Sequence, residues 1–172
     1  MGERVELVYT PTRADVADAV RVQMKYGSFR FLLRALRIVA VLAALVLVLE
    51  LFGPGGPKPG GAVRMAGFVL LLLALAPAMR WLVVRQAYGL IGRQGEFRAS
   101  VDDEGVRWST RDSEVVQRWP FMSRYVETPT QFVLLTADKG RVGVAALPKR
   151  GVSDPAEVDR LREIVDRNKG KV

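Results

Sequence analysis

The 172-residue chain contains no cysteine and no histidine. Disulfides and thiolate chemistry are therefore excluded, and so are zinc sites and any mechanism that needs an imidazole as base or pH switch. The sequence also shows no nucleophile elbow, no phosphate-cradling glycine loop and no carboxylate pair placed for catalysis. These absences predict a protein that is not an enzyme and that has no cofactor, no catalytic residue and no metal site.

Charged residues are scarce in two apolar stretches, residues 32–52 and 63–84. A bilayer core of about 30 Å needs roughly 20 helical residues, and each stretch has that length if its terminal arginines extend to the interface. The loop 53–61 between them is almost entirely glycine and proline. The pattern predicts a transmembrane hairpin over residues 29–94.

The net charge of +8 is concentrated beside these two spans, where residues 21–37 and 80–98 hold nine cations and one acid. Under the positive-inside rule, both termini are cytoplasmic, the loop is external and the protein lies in the cell membrane. Basic residues in these positions favour anionic lipid head groups as partners, and not nucleic acid. The predicted lipid-facing flank consists of Lys25, Arg30, Arg34, Arg37, Arg80 and Arg85.

Residues 1–28 are predicted to form an N-terminal strand followed by an amphipathic helix. Polar and apolar residues alternate over 3–10, as in a strand, and Thr12–Asp15 has the form of a capping box. Val16, Val20 and Met24 then recur at helical spacing. We expect this helix to lie along the membrane surface or to pack on the cytosolic unit.

Residues 95–172 are predicted to form a cytosolic α+β unit, a curved antiparallel sheet capped by a C-terminal helix. Six short strands are expected between residues 97 and 147. The acidic segment Asp102–Glu104, which precedes Gly105, is typical of a tight turn, with a divalent-cation site as the alternative. Asp154 and Pro155 mark the start of the final helix. Its apolar stripe consists of Val158, Leu161, Ile164 and Val165.

Several short motifs in this unit resemble the YcxB-like family of bacterial membrane proteins. They are Gly105-Val106, Trp119, Tyr125-Val-Glu-Thr128, Phe132-Val-Leu-Leu135 and Leu147-Pro-Lys-Arg150. The resemblance implies a fold similar to a pleckstrin-homology domain and implies no settled activity. Lipid-binding pleckstrin-homology domains hold phosphates in their first strand–strand loop; in the alignment that we expect, this loop is the acidic segment, which would repel phosphate.

The candidate partner-binding residues are aromatic or basic and belong to this unit. Trp119, Phe121 and Tyr125 would form a groove or edge for a peptide, with core packing as the alternative. Lys149 and Arg150 would bind an acidic partner or a lipid phosphate, with a solvated corner as the alternative. In the first span, Glu50 suggests ion coupling, or else a carboxylate that reaches the interface. Alanines four residues apart favour hairpin packing, and a homodimer is the alternative.

These observations favour a membrane-anchored adaptor whose cytosolic unit binds a protein or peptide. Anchoring would raise its effective concentration near membrane partners. An immunity protein that protects the membrane against a toxin is one alternative, and an enzyme of unrecognised mechanism is another. The sequence does not identify the partner.

Overall fold

The computed structural model describes residues 4–26, 29–52, 59–136 and 143–169. Seven strands and four α-helices follow one another in the order β1 (Val5–Tyr9), α1 (Arg13–Tyr26), α2 (Phe29–Phe52), α3 (Pro59–Ile91), β2 (Phe97–Val101), β3 (Gly105–Ser109), β4 (Glu114–Arg118), β5 (Met122–Glu127), β6 (Gln131–Thr136), β7 (Val144–Pro148) and α4 (Pro155–Asn168). Short 3₁₀ turns follow α3, β4 and β7. The architecture therefore consists of two long apolar helices and an α+β unit with a C-terminal helix, as predicted.

The strands form two antiparallel sheets, one ordered β1-β2-β3-β4 and the other β5-β6-β7. In the first sheet Leu7 lies opposite Ala99, and Ala99 opposite Trp108. In the second sheet Tyr125 lies opposite Leu134. Because side chains alternate between the faces of a strand, these residues share the inner faces of the two sheets. They belong to one buried cluster, which is the core of the unit.

The first strand belongs to the same sheet as β2, β3 and β4, which follow the long helices. Val5, Leu7 and Tyr9 of β1 are buried, and β1 pairs with β2 along its whole length. The sequence-based division placed this strand in a separate unit, 1–28, apart from 95–172. The structure instead inserts all three helices α1–α3 between the first two strands of one sheet. A fragment beginning at residue 95 would therefore lack an edge strand.

The acidic segment forms the predicted turn, but it connects the second and third strands of the sheet. Asp102 Oδ1 accepts hydrogen bonds from the backbone N–H groups of Glu104, at 2.9 Å, and Gly105, at 3.1 Å. A side chain at Gly105 would place its Cβ 2.3 Å from the carbonyl oxygen of Gln117. The turn is thus not next to the first strand of the sheet, and its correspondence to the phosphate loop of pleckstrin-homology domains stays a prediction.

Helix α4 caps the core as its sequence pattern predicts. Leu161, Ile164 and Val165 are fully buried, and Val158 packs against the same cluster. The Asp154 side chain accepts a hydrogen bond from the Ala156 N–H at 2.9 Å, which caps the N-terminus. The C-terminal helix is thus held by burial of one face and by its cap.

Helix α1 lies between the second sheet and α3. The predicted capping box is present, since the Thr12 N–H donates to Asp15 Oδ2 at 2.7 Å and the Asp15 N–H donates to Thr12 Oγ1 at 3.3 Å. Val16 and Val20 pack against Val84 of α3. A second apolar side, missed in the sequence, carries Val22, which packs against β6. Strand β6 is buried on both faces because the core covers one face and α1 the other.

The long helices α2 and α3 pack against each other and expose most of their apolar side chains. The stretches Phe31–Phe52 and Val63–Gln94 are each long and apolar enough to cross a membrane. Ala40 and Ala43 of α2 are buried. Helix α3 continues past the predicted span to Ile91, with Pro77 inside it.

Candidate functional site

An apolar cavity of about 390 Å³ lies where β4, β7, α1 and the end of α3 meet. Val115 and Gln117 on the inner face of β4 line one wall, opposite Ala145 and Ala146 of β7. The small alanine side chains leave space that larger residues would fill. Val115 is 48% exposed although it lies opposite Trp108, which is buried. The inner face of β4 is therefore incompletely covered, and the cavity opens at the edge of the sheet.

The cavity wall carries an unused hydrogen-bond acceptor. Gln117 Oε1 is buried and has no hydrogen-bond partner within the described ranges. Nearby, the Tyr9 hydroxyl donates to the Ala146 carbonyl at 3.0 Å, and burial raises the pKa of Tyr9 to about 12. Tyr9 therefore stays protonated at neutral pH. The cavity therefore suits a largely apolar side chain that carries one hydrogen-bond donor, which would bind Gln117 Oε1.

Strand β4 is the last strand of its sheet, and it carries apolar residues on both faces. Val116, on the outer face, is 53% exposed, and Phe121, just after the strand, is also 53% exposed. An edge strand offers N–H and C=O groups to an added strand. The outer edge of β4 and the cavity behind it thus form one continuous candidate docking surface, which we call the β4 surface; it comprises Val115, Val116, Gln117 and Phe121.

The structure separates the three aromatic residues predicted to form a groove. Trp119 and Tyr125 are buried in the core, as the packing alternative stated. The Trp119 indole Nε1 donates to the Asp102 carbonyl at 2.9 Å, and the Tyr125 hydroxyl donates to Asp166. Only Phe121 of the three offers exposed surface. We therefore retain Phe121 as a candidate contact and assign Trp119 and Tyr125 to the core.

Arg150 is held in an ion pair that fastens α1 to the end of β7. Its guanidinium donates to both carboxylate oxygens of Asp15 at 2.6 Å, and its Nη2 also donates to the Thr10 carbonyl at 2.9 Å. Burial acts to raise the pKa of Asp15, but hydrogen bonds from Arg150 and Thr12 outweigh it and hold that pKa below its usual value. These contacts account for the position of the Arg150 guanidinium without an external partner.

Lys149 belongs to a second ion-pair group, which joins β5, β7 and α4. Its Nζ lies 2.8 Å from Glu127 Oε1, and Arg162 Nη2 lies 2.8 Å from the same oxygen. Hydrogen bonds to Glu127 and Asp159 raise the pKa of Arg162. The alternative predicted from the sequence placed Lys149 and Arg150 at a solvated corner without ion-pair partners. The structure differs, because each residue forms an ion pair that connects elements distant in sequence.

Four of the six predicted flank residues meet at one place. Lys25, Arg34, Arg37 and Arg80 line a second cavity, of about 490 Å³, between α1, α2 and α3. Arg85 lies outside it, with its guanidinium carbon 5.2 Å from the centre of the Trp81 ring. The Arg30 side chain is outside the part of the chain that the structure describes. The sequence could place these residues beside the spans but not around a common cavity.

Glu50 lies near the start of α3. A Cβ added at Gly61 would lie 3.2 Å from Glu50 Oε2. That oxygen is buried and has no hydrogen-bond partner among the described residues. Ion coupling by Glu50 stays a prediction. No group of three or more acidic side chains within the described ranges could hold a metal ion.

One comparison with known proteins finds a family model that is similar to part of this chain. Residues 101–165, from the end of β2 to α4, match the family model described as YcxB-like protein. The match confirms the resemblance drawn from the sequence, and it covers the turn after β2, strands β3 and β4, the second sheet and most of α4. No curated protein matches the chain.

Proposed function

We propose that this protein is a non-enzymatic, membrane-anchored adaptor. Helices α2 and α3 cross the cell membrane as a hairpin, and both termini lie in the cytoplasm. The two sheets and α4 form a unit similar to a pleckstrin-homology domain at the inner membrane face. This unit binds a protein partner through an extended segment of that partner.

The apolar surface of α2 and α3 supports the membrane anchor. Leu70, Leu71 and Leu73 of α3 are each at least 60% exposed, and similar exposure extends along α2. Soluble proteins rarely expose contiguous apolar surfaces of this size. The orientation rests on the basic residues at the ends of the hairpin that adjoin the two-sheet unit.

The β4 surface carries the proposal of a protein partner. An added strand would hydrogen-bond to the outer edge of β4, and one of its side chains would enter the cavity behind Val115. A donor on that side chain would satisfy Gln117 Oε1. The single observation behind the proposal is that this edge strand is apolar on both faces and opens directly into a cavity.

Site-specific photo-crosslinking tests the proposal in the native membrane. A photoreactive amino acid at Val116 should give one discrete crosslinked product, whose identity is read by mass spectrometry. Val8 is the matched control, since it is 49% exposed on the outer face of β1, at the other edge of the same sheet.

The outcomes of this experiment separate the competing functions. A product of twice the chain's mass would show that the partner is a second copy, the homodimer alternative. A toxin as the captured protein would favour the immunity alternative. Equal labelling from Val116 and Val8, or none from either, would contradict docking at β4. Within the described residues, neither the immunity function nor an unrecognised enzymatic activity has a structural feature in its favour, and both stay predictions.

A further inference from the structure

The cavity between α1, α2 and α3 is lined by five cations. Arg21 and Lys25 come from α1, Arg34 and Arg37 from α2, and Arg80 from α3. An anion that enters this cavity would be attracted by cations from three helices at once. We call this cavity of about 490 Å³ the basic cavity.

The cations of the basic cavity are poorly neutralised by the chain itself. None of the described residues that line the cavity is acidic. Of these five cations, Asp18 forms an ion pair only with Arg21, at 4.0 Å. Its Oδ2 also accepts a hydrogen bond from Gln131. Arg34, Arg37 and Arg80 form no ion pair with any residue that the structure describes. Arg80 is half-buried, so part of its hydration is lost without a compensating carboxylate.

The remaining lining is apolar and belongs mainly to the two long helices. Leu33 of α2 and Ala76 and Pro77 of α3 contribute it, with Met24 of α1. Cations from three helices therefore adjoin an apolar wall. This combination matches the chemistry of a phospholipid, in which a charged phosphate adjoins a glycerol group and acyl chains.

We propose that the basic cavity binds the phosphate head group of one anionic phospholipid. Arg34, Arg37 and Arg80 contact the phosphate, since planar guanidinium groups donate paired hydrogen bonds to phosphate oxygens. Lys25 and Arg21 add charge at the outer rim, and the acyl chains leave along Leu33 and Ala76. The site is distinct from the β4 surface, and it rests on the proposed membrane crossing of α2 and α3.

Lipid retention measured by native mass spectrometry tests this proposal on the full chain. The protein is first shown to resist alkaline carbonate extraction; if carbonate releases it, the membrane crossing fails and the lipid site with it. The chain is then reconstituted in nanodiscs of phosphatidylcholine with either phosphatidylglycerol or cardiolipin, and released into the gas phase. We expect one anionic lipid to remain bound per chain and phosphatidylcholine to be lost.

Two arginines of α3 give a matched pair of variants. Arg80→Gln should weaken anionic lipid binding roughly ten-fold, the equivalent of about 1.4 kcal/mol. Arg85→Gln removes the same charge five residues further along but outside the cavity, and it should leave retention unchanged. If Arg80→Gln fails to fold, as its melting curve would show, Arg34→Gln and Arg37→Gln provide the same test from α2.

Three results would overturn the proposal. Equal losses in the Arg80→Gln and Arg85→Gln proteins would mean that summed surface charge, and not the cavity, holds the lipid. Retention of phosphatidylcholine at the level of the anionic lipids would remove the role of head-group charge. Displacement of the lipid by inorganic pyrophosphate in the soluble phase at low concentration would show that the site takes a free phosphate compound.

Discussion

The two-sheet unit and the α2–α3 pair differ in how their apolar side chains are buried and in how their basic side chains are paired. In the two-sheet unit Leu7, Phe132 and Leu161 are fully buried, and the basic residues Lys149, Arg150 and Arg162 lie in ion pairs. In the α2–α3 pair most leucines and valines are exposed, and the arginines beside them lack carboxylate partners among the described residues. This difference in exposure is what the proposed membrane crossing of α2 and α3 predicts.

Helix α1 connects these two regions and shows how their surfaces meet. Its Val16 and Val20 pack on α3, its Val22 packs on β6, and its Asp15 carboxylate holds Arg150. The helix thus has an apolar contact on each side. The two-sheet unit is attached to the hairpin by packing as well as by chain connection.

The largest expected effect separates a core leucine from a leucine on the long helices. Leu161→Ala should lower the free energy of unfolding of the two-sheet unit by about 3 kcal/mol, because it removes a fully buried side chain and leaves a cavity. Leu71→Ala, at 62% exposure on α3, should leave that unit's stability unchanged. Melting of the full chain in detergent, followed by near-ultraviolet circular dichroism, measures both. Equal melting temperatures for the Leu161→Ala and Leu71→Ala proteins would contradict the different roles assigned to these two leucines.

The next effect concerns the ion pairs of the two-sheet unit. Glu127→Gln should cost about 2 kcal/mol, because it leaves Lys149 and Arg162 without their shared carboxylate in a partly buried setting. Glu114→Gln is the matched control: Glu114 pairs with Arg107 at 2.7 Å, but its side chain is 53% exposed. We expect the control to cost less than about 0.5 kcal/mol. A smaller loss for Glu127→Gln than for Glu114→Gln in denaturant titrations would contradict this account of burial.

A smaller effect depends on pH. Asp15→Asn should cost about 1 kcal/mol at neutral pH, since it weakens both the helix cap and the Arg150 pair, and Arg150 is 45% exposed. The folded pKa of Asp15 lies below the usual 3.8, so its contribution is present above that pH and is lost as the pH falls toward the folded pKa. The difference in melting temperature between wild type and Asp15→Asn should therefore shrink in acid. A difference that grows in acid would refute the assignment.

The smallest expected effect sharpens the contrast between paired and unpaired arginines. Arg37→Gln should change the melting temperature of the two-sheet unit by less than the error of the measurement, because Arg37 has no ion pair with the described residues. Arg150→Gln should lower it measurably, because Asp15 loses its guanidinium partner. Differential scanning fluorimetry of the two variants in one detergent compares them directly. A reversed order would mean that Arg37 has a structural role.

Local patterns in the sequence predicted the elements that local contacts stabilise. The stripe of α4 and the Thr12–Asp15 capping box depend on residues a few positions apart, and both are present. The turn at Asp102–Gly105 likewise follows from side chain and backbone chemistry within four residues. The hydrophobic length of α2 and α3 was also readable, because a helix of fixed rise needs a fixed number of apolar residues.

Contacts between distant segments could not be read from one sequence. Helices α1, α2 and α3 separate β1 from β2 in the sequence, and no periodicity in either strand indicates that the two strands pair. The Arg150–Asp15 pair and the basic cavity depend in the same way on where α1 lies. The β4 surface exists because small residues, Ala145 and Ala146, face an edge strand across the fold. A long-range strand pair or cavity needs a tertiary structure to be seen.

We propose that the two regions lie in different solvents, with the hairpin loop outside and the two-sheet unit inside the cell. Because the chain has no cysteine, a single substitution can be labelled without background. A membrane-impermeant maleimide applied to intact spheroplasts should label the Gly56→Cys protein and leave the Val116→Cys protein unlabelled. In inside-out vesicles the pattern should reverse. Labelling of both proteins from the same side would contradict the membrane crossing and, with it, the adaptor function.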